Sequence, residues 1–189
     1  MTTQEKNGIT EGVIWKQLLI FFFPILVGSF FQQLYNTVDS VIVGQFVGKE
    51  ALSSVGGSAG QIISLVVGFF TGVSTGATVI ISQYFGAGKK EEIEESLHTA
   101  YAFALVGGLV LGIAGIVFAP QMLRWMNTPE ELIAESVLYV RVYFSGLIFI
   151  FIYNMGAAIL RAVGDSKRPL YYLIVCSVVN IILLSLIHI

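Results

Sequence analysis

Residues 13–46 read VIWKQLLIFFFPILVGSFFQQLYNTVDSVIVGQF, an apolar stretch that carries one carboxylate, Asp39, near its far end. A hydrophobic run of about 18 residues or more is a candidate membrane-spanning helix. The other acidic residues fall in the amino-terminal tail, in polar connections or at the ends of apolar stretches, so Asp39 alone is expected within the bilayer. An ionised carboxylate is costly there and usually functional. The sequence therefore predicts that Asp39 is the functional centre of the chain.

The same stretch has one polar face. At about 100° per residue, its polar side chains fall within an arc of roughly 120°; they are Ser29, Gln32, Gln33, Asn36, Asp39 and Ser40. Lipid cannot satisfy these groups, so the face is expected to point toward other helices or water. Pro24 lies earlier in the stretch and removes one backbone hydrogen bond, so we expect it to bend the helix.

The composition indicates a polytopic membrane protein of the all-α class. Of the 189 residues, 56% are hydrophobic and 12% are charged, with a mean hydropathy of +0.83. Soluble domains carry roughly twice that charged fraction. The net charge of −2 is uninformative about partners, and no basic patch suggests nucleic acid. Cys176 is the only cysteine, which excludes an intrachain disulfide and a cysteine-based metal site.

Five membrane spans are predicted, over residues 13–45, 51–85, 93–119, 129–163 and 169–189, after a cytoplasmic tail at residues 1–12. Pro120 is expected to end the third span. Span 2 has a small residue at every fourth position, which predicts close helix packing, with a Gly-lined path or a hinge as the alternative; the series is Gly56, Gly60, Ser64, Gly68, Gly72 and Gly76. The bundle is expected to represent about five helices of a six-helix lobe.

The basic residues predict the orientation. With a cytoplasmic amino terminus, the cytoplasmic side holds Lys6, Lys16, Lys89, Lys90, Arg161, Lys167 and Arg168, and the opposite side holds Lys49 and Arg124. Seven basic residues on the cytoplasmic side against two on the other side agree with the positive-inside rule. Arg141 lies inside span 4, where it is expected to snorkel or to pair with a helix, with a role in ion coupling as the alternative. We expect a multi-pass protein of the plasma (inner) membrane.

Several motifs together resemble the multidrug and toxic compound extrusion (MATE) family of cation-coupled antiporters. They are Pro24 with the run QLYNTVD (33–39), VGQFVG (43–48) with Ala51-Leu52, ISQYFGAG (81–88) at the end of span 2, and LRAVGD (160–165) at the end of span 4. Each motif is weak alone, but their order and spacing across four spans make the resemblance specific.

The resemblance implies a transporter of two six-helix lobes that exports organic cations in exchange for H⁺ or Na⁺, without a cofactor and without enzyme activity. The family's acid in helix 1 matches Asp39. Asn180 matches an Asn of the fifth helix, but Leu184 stands where many members have an acid. That departure and the missing second lobe predict an amino-terminal fragment, whose partners are the lipid bilayer, a small organic cation and the carboxy-terminal lobe.

The mechanistic hypothesis is competition at one carboxylate. Deprotonated, Asp39 is expected to attract an organic cation or Na⁺, helped by the amides of Gln32, Gln33 and Asn36, with Tyr35 available for cation–π contact. Interhelical hydrogen bonding is the alternative for the amides, and packing is the alternative for Tyr139 and Asn180. No other metal site is predicted. Two other functions stay open: a lipid-linked saccharide flippase of the same superfamily, for which only Arg141 supplies an intramembrane base, and an intramembrane enzyme.

Overall fold

The computed structural model describes residues 13–42, 44, 53 and 56–187, apart from the side chains of Asp39 and of residues 184–187. The elements are α1 (Ile14–Ile42), α2 (Ser58–Gly86), α3 (Lys90–Trp125), α4 (Glu130–Ser145), α5 (Leu147–Ala162) and α6 (Lys167–Ile187). Each is a helix, because an apolar chain in lipid must satisfy its backbone polar groups within the segment. The prediction of an all-α bundle is confirmed.

The helices form a packed group and a pair. Helix α3 packs against α2, α4 and α5, while α1 packs chiefly against α6. The centre of the group is aromatic: the rings of Phe70 (α2) and Phe151 (α5) are stacked with centroids 3.4 Å apart, and both side chains are buried. Ala104, Leu123 and Leu147 belong to the same cluster of buried side chains.

Glycines on α3 allow this close packing. A Cβ added to Gly115 would lie 1.7 Å from Cδ1 of Phe144, and one added to Gly108 would lie 2.9 Å from Cα of Ile148. The predicted packing of the small-residue series on α2 is different. A Cβ added to Gly72 meets no described atom within 4 Å, and the same is true of Gly68, Gly76 and Gly56. The expected tight interface along this series is therefore not seen among the described residues.

Span 4, predicted as one helix over residues 129–163, is broken. Helices α4 and α5 meet at Gly146 with a bend of 49°. The Ser145 hydroxyl donates to the carbonyl oxygen of Val142 at 2.6 Å, and the Gly146 N–H donates to Tyr143 O at 3.1 Å. Ser and Gly in sequence are a usual site of a sharp kink, since one competes for backbone acceptors and the other leaves the backbone unconstrained.

The prediction that Pro120 ends span 3 is wrong, because α3 continues to Trp125 with Pro120 inside it. Proline has no N–H, so the carbonyl of Ile116, four residues earlier, loses its helical donor. Arg141 of α4 replaces the missing donor, since its Nε donates to the carbonyl oxygen of Ile116 at 3.2 Å. Arg141 is thus a helix-paired arginine, as one of its two predicted roles required.

The described helices fit a membrane protein. Three of them (α1, α2 and α3) are long and apolar enough to cross a bilayer, and α4 with α5 makes a fourth candidate if the bent pair is one span. The fifth predicted span corresponds to α6, whose last side chains lie outside the described part.

An ion pair lies where α3 begins. Lys89 Nζ lies 3.0 Å from Glu92 Oε1, and this carboxylate raises the pKa of Lys89.

Candidate functional site

The polar face predicted on α1 is largely accessible in the structure. Gln32, Gln33 and Asn36 are exposed side chains. The hydroxyls of Thr37 and Ser40 donate to the carbonyl oxygens of Gln33 and Asn36, each at 2.9 Å. These hydroxyls are satisfied within the helix, whereas the exposed amides of Gln32, Gln33 and Asn36 are suited to bind a ligand.

Asp39 belongs to α1 by its backbone, but its side chain lies outside the described part of the chain. Its role therefore stays a prediction. Tyr35, one turn earlier, is half-buried and has an interaction partner. Pro24 is buried within α1, which continues through it, and the bend expected there also stays a prediction.

Asn180 on α6 has an unusual environment. Its Oδ1 atom is buried and accepts no hydrogen bond in the part of the molecule that the structure describes. A buried amide oxygen without a donor costs about 1–3 kcal/mol. Such an orphaned acceptor is suited to a proton donor or a cation, so the chemistry of Asn180 fits the site that the sequence assigns to it.

The packing of α6 against α1 puts Asn180 near the level of Asp39. A Cβ added to Gly28 would lie 3.6 Å from Leu170 and 3.7 Å from Leu173, which fixes the register of the two helices. If every span crosses the bilayer once, spans 1 and 5 run in the same direction. Asn180 lies seven positions beyond Leu173, and seven positions beyond Gly28 is Tyr35, about one helical turn before Asp39.

Tyr139 is not brought to this face. It is half-buried on α4, where its ring centroid lies 6.4 Å from that of Tyr143. Helix α4 packs mainly against α3, whereas α1 packs mainly against α6. The arrangement of the described helices therefore favours a packing role for Tyr139.

The structure also shows a cavity, lined in part by polar side chains, that the sequence analysis missed. It lies between α2 and α5, has a volume of about 390 Å³, and is also lined by Phe21 of α1. Its polar lining consists of the side chains Thr71, Ser74, Thr75, Thr78, Ser82, Asn154 and Arg161. The five residues from α2 follow the pattern i, i+3, i+4, i+7 and i+11, which places them on one helical face. This spacing was the available signal.

The comparisons with known proteins agree with the fold. A sequence model of the MatE family matches residues 24–186. Over 184 residues the chain is 33% identical to "Probable multidrug resistance protein YoeA" of Bacillus subtilis (strain 168), covering 97% of this chain and 39% of that protein. It is 34% identical over 180 residues to "Probable multidrug resistance protein YpnP" of the same organism, covering 94% of this chain and 40% of the relative.

The fold is also similar to a solved structure described as "Crystal structure of MATE in complex with MaD3S". The TM-score is 0.88 at 25% sequence identity, with 97% of this chain and 41% of that chain covered. The chain thus spans about two fifths of the length of these relatives. The relatives and structural neighbours are transporters, not enzymes. With a family model matched over most of its length, the chain belongs to the MatE family.

Proposed function

We propose that the complete protein is a secondary active transporter of the plasma membrane, which exports organic cations or drugs in exchange for H⁺ or Na⁺. This chain supplies part of its amino-terminal lobe, with the amino terminus in the cytoplasm, and the remaining lobe completes the pathway. The names of YoeA and YpnP as probable multidrug resistance proteins support this assignment. The proposal depends most on one observation: the buried Oδ1 of Asn180 has no hydrogen-bond donor among the described residues.

The proposed site combines a carboxylate with neutral acceptors. The Asn180 oxygen needs a donor, and Asp39 supplies one when it is protonated. When Asp39 is ionised, its charge and the Asn180 oxygen together suit Na⁺ or an organic ammonium, since hard cations prefer oxygen ligands. Both states satisfy the orphaned oxygen, which makes the two kinds of occupant alternatives at one site.

Export follows from that competition. Loss of water around a carboxylate disfavours its charged form, so in this mechanism Asp39 takes up a proton or an ion when the proposed site faces the side rich in it. Neutralisation removes the attraction for the cationic cargo, and the cargo leaves. The coupling needs only that cargo and coupling ion bind poorly together. Gln32, Gln33 and Asn36 supply further hydrogen bonds to the cargo on the exposed face of α1.

The test is efflux of a fluorescent cation from vesicles that contain the complete gene product, under an imposed proton or sodium gradient. Asp39→Asn keeps the size of the side chain and removes its charge, so gradient-driven efflux is expected to fall at least about tenfold. Thr37→Val is the matched control, because the Thr37 hydroxyl is already satisfied within α1. Gradient-driven efflux that is equal in Asp39→Asn and in the unchanged protein would remove this carboxylate from the mechanism.

A further inference from the structure

The cavity between α2 and α5 carries a positive charge. Arg161, in the last turn of α5, is half-buried and is the only charged residue among those described as lining this cavity. A guanidinium is always ionised and presents several N–H donors in a plane. Taking such a group partly out of water is expensive unless an anion or hydrogen-bond acceptors compensate it.

None of the described residues that line the cavity carries a carboxylate. Within their bounds, α2 and α5 contain no Asp or Glu, and the only acid of α1 is Asp39, eighteen positions beyond Phe21 and therefore about 27 Å further along the helix. Asp165 is close in sequence, but its carboxylate is engaged elsewhere. It accepts the N–H groups of Lys167 and Arg168 at 3.1 Å each and lies 3.1 Å from Nε of Arg168.

The neutral groups of the cavity are turned into acceptors. The hydroxyls of Thr71, Thr75 and Thr78 donate to carbonyl oxygens of α2, at 2.9, 2.8 and 2.9 Å. Asn154 Nδ2 similarly donates to Ile150 O at 2.8 Å. The three hydroxyl protons are thus already used, so these hydroxyl oxygens are left to accept hydrogen bonds from an occupant, as is Oδ1 of Asn154, whose amide keeps one further N–H.

The charged group of Arg161 lies at one end of the row of polar side chains that lines the cavity. Phe70 stacks on Phe151, and the Thr78 hydroxyl lies 3.3 Å from Ala158 O, so α2 and α5 run in the same direction side by side. Arg161 therefore lies beside the last part of α2, near Ser82. Asn154 is seven residues earlier on α5, about 10 Å away along the axis, and lies beside the Thr71 end. The cavity thus has a cationic end and an end of neutral acceptors.

We propose that this cavity binds a small organic anion, with its carboxylate or phosphate group on Arg161 and its hydrogen-bond donors on the hydroxyl and amide oxygens toward Asn154. The anionic group neutralises the half-buried guanidinium, and the donors satisfy the acceptors that α2 and α5 leave open. The site shares no residue with the proposed cation site on α1 and α6, and its existence does not depend on the transport direction or on the coupling ion.

Charge-selective labelling tests the cationic end. The complete gene product is purified in an uncharged detergent with Cys176→Ala, and a single cysteine is introduced by Thr75→Cys in the cavity or by Gly72→Cys outside it. The rates of reaction with an anionic sulfonatoethyl and a cationic trimethylammonioethyl methanethiosulfonate are compared. In Thr75→Cys, adding Arg161→Gln is expected to lower the anionic-to-cationic rate ratio about tenfold, whereas Arg161→Lys keeps it. At Gly72→Cys the ratio is expected not to depend on residue 161.

Protection of the Thr75→Cys thiol tests the ligand. The probe is 4-phenylbutyrate, and its uncharged counterpart is 4-phenylbutanol. The butyrate is expected to slow labelling more than fivefold when Arg161 is present and to have no effect with Arg161→Gln. If phosphatidylglycerol in the micelles protects and phosphatidylcholine does not, the anionic group comes from a lipid head group, which also supports the anion site. The proposal would be overturned if the acid and the alcohol protect equally, or if Arg161→Gln leaves the anionic-to-cationic rate ratio of Thr75→Cys unchanged.

Discussion

Gly115 offers the sharpest test of how this bundle is packed. A Cβ at this position would lie 1.7 Å from Cδ1 and 2.1 Å from Cε1 of Phe144, whereas carbon atoms in contact prefer about 3.5–4.0 Å. The Phe144 ring would have to move by about 2 Å. It is only 3% exposed, and the chain bends directly after it at Gly146, so it has little room to move.

The expected change in the free energy of unfolding follows from two opposing effects of replacing glycine by alanine. Replacing Gly by Ala within a helix gains up to about 1 kcal/mol, because the backbone of the unfolded chain loses freedom. Overpacking a core typically costs about 1–3 kcal/mol and more where the neighbour cannot move. At Gly72 only the gain applies, since no described atom lies within 4 Å of the added Cβ. We expect Gly115→Ala to be less stable than Gly72→Ala by about 2–3 kcal/mol, or about 30- to 150-fold in the unfolding equilibrium.

The assay is reversible unfolding of the chain in mixed micelles of a mild detergent and dodecyl sulfate, followed by circular dichroism. A second variant identifies the cause: Phe144→Leu removes the ring that the new methyl group would strike. The double variant Gly115→Ala/Phe144→Leu is expected to lose less stability than the sum of the two single losses. Equal stability of Gly115→Ala and Gly72→Ala would refute the close approach of α4 to α3.

The bond from Arg141 to Ile116 O predicts that Arg141→Met destabilises the chain by about 1–2 kcal/mol. The same unfolding assay should show a smaller loss in a Pro120→Ala background, where residue 120 regains the N–H that Ile116 O needs; an undiminished loss would assign the effect of Arg141 to something else. Phe151→Ala removes the ring stacked on Phe70 and should cost about 3–5 kcal/mol. Phe149→Ala, at an exposed position of the same helix, is its control, and similar losses in both would contradict the central position of the stacked pair.

Much of the fold could be predicted because lipid restricts the chain so strongly. An apolar segment in a bilayer has to be helical, so the spans follow from length and composition alone. The break at Gly146 was harder, since Ser145 and Gly146 are both compatible with a continuous helix of this hydropathy. The extension of α3 beyond Pro120 could not be predicted from local sequence at all, because the donor that allows it comes from Arg141 on another helix.

The candidate sites also differ in how far the sequence could predict them. The polar face of α1 follows from the 100° period, since a single helix determines it. Asn180 entered only through the resemblance to a family, and its orphaned oxygen becomes visible only with the neighbouring helix in place. Arg161 appeared in the sequence as one more basic residue on the cytoplasmic side. Its cavity depends on the side-by-side register of α2 and α5, which no local pattern encodes.

The link between Pro120 and Arg141 has a consequence for how this lobe can evolve. A lineage that replaces the proline frees the arginine to change, while a lineage that loses the arginine first carries an unsatisfied carbonyl inside the membrane. Substitutions at the two positions should therefore appear in a preferred order and tend to be inherited as a pair. Wherever relatives differ at position 120, the matching change at position 141 becomes the informative one to look for.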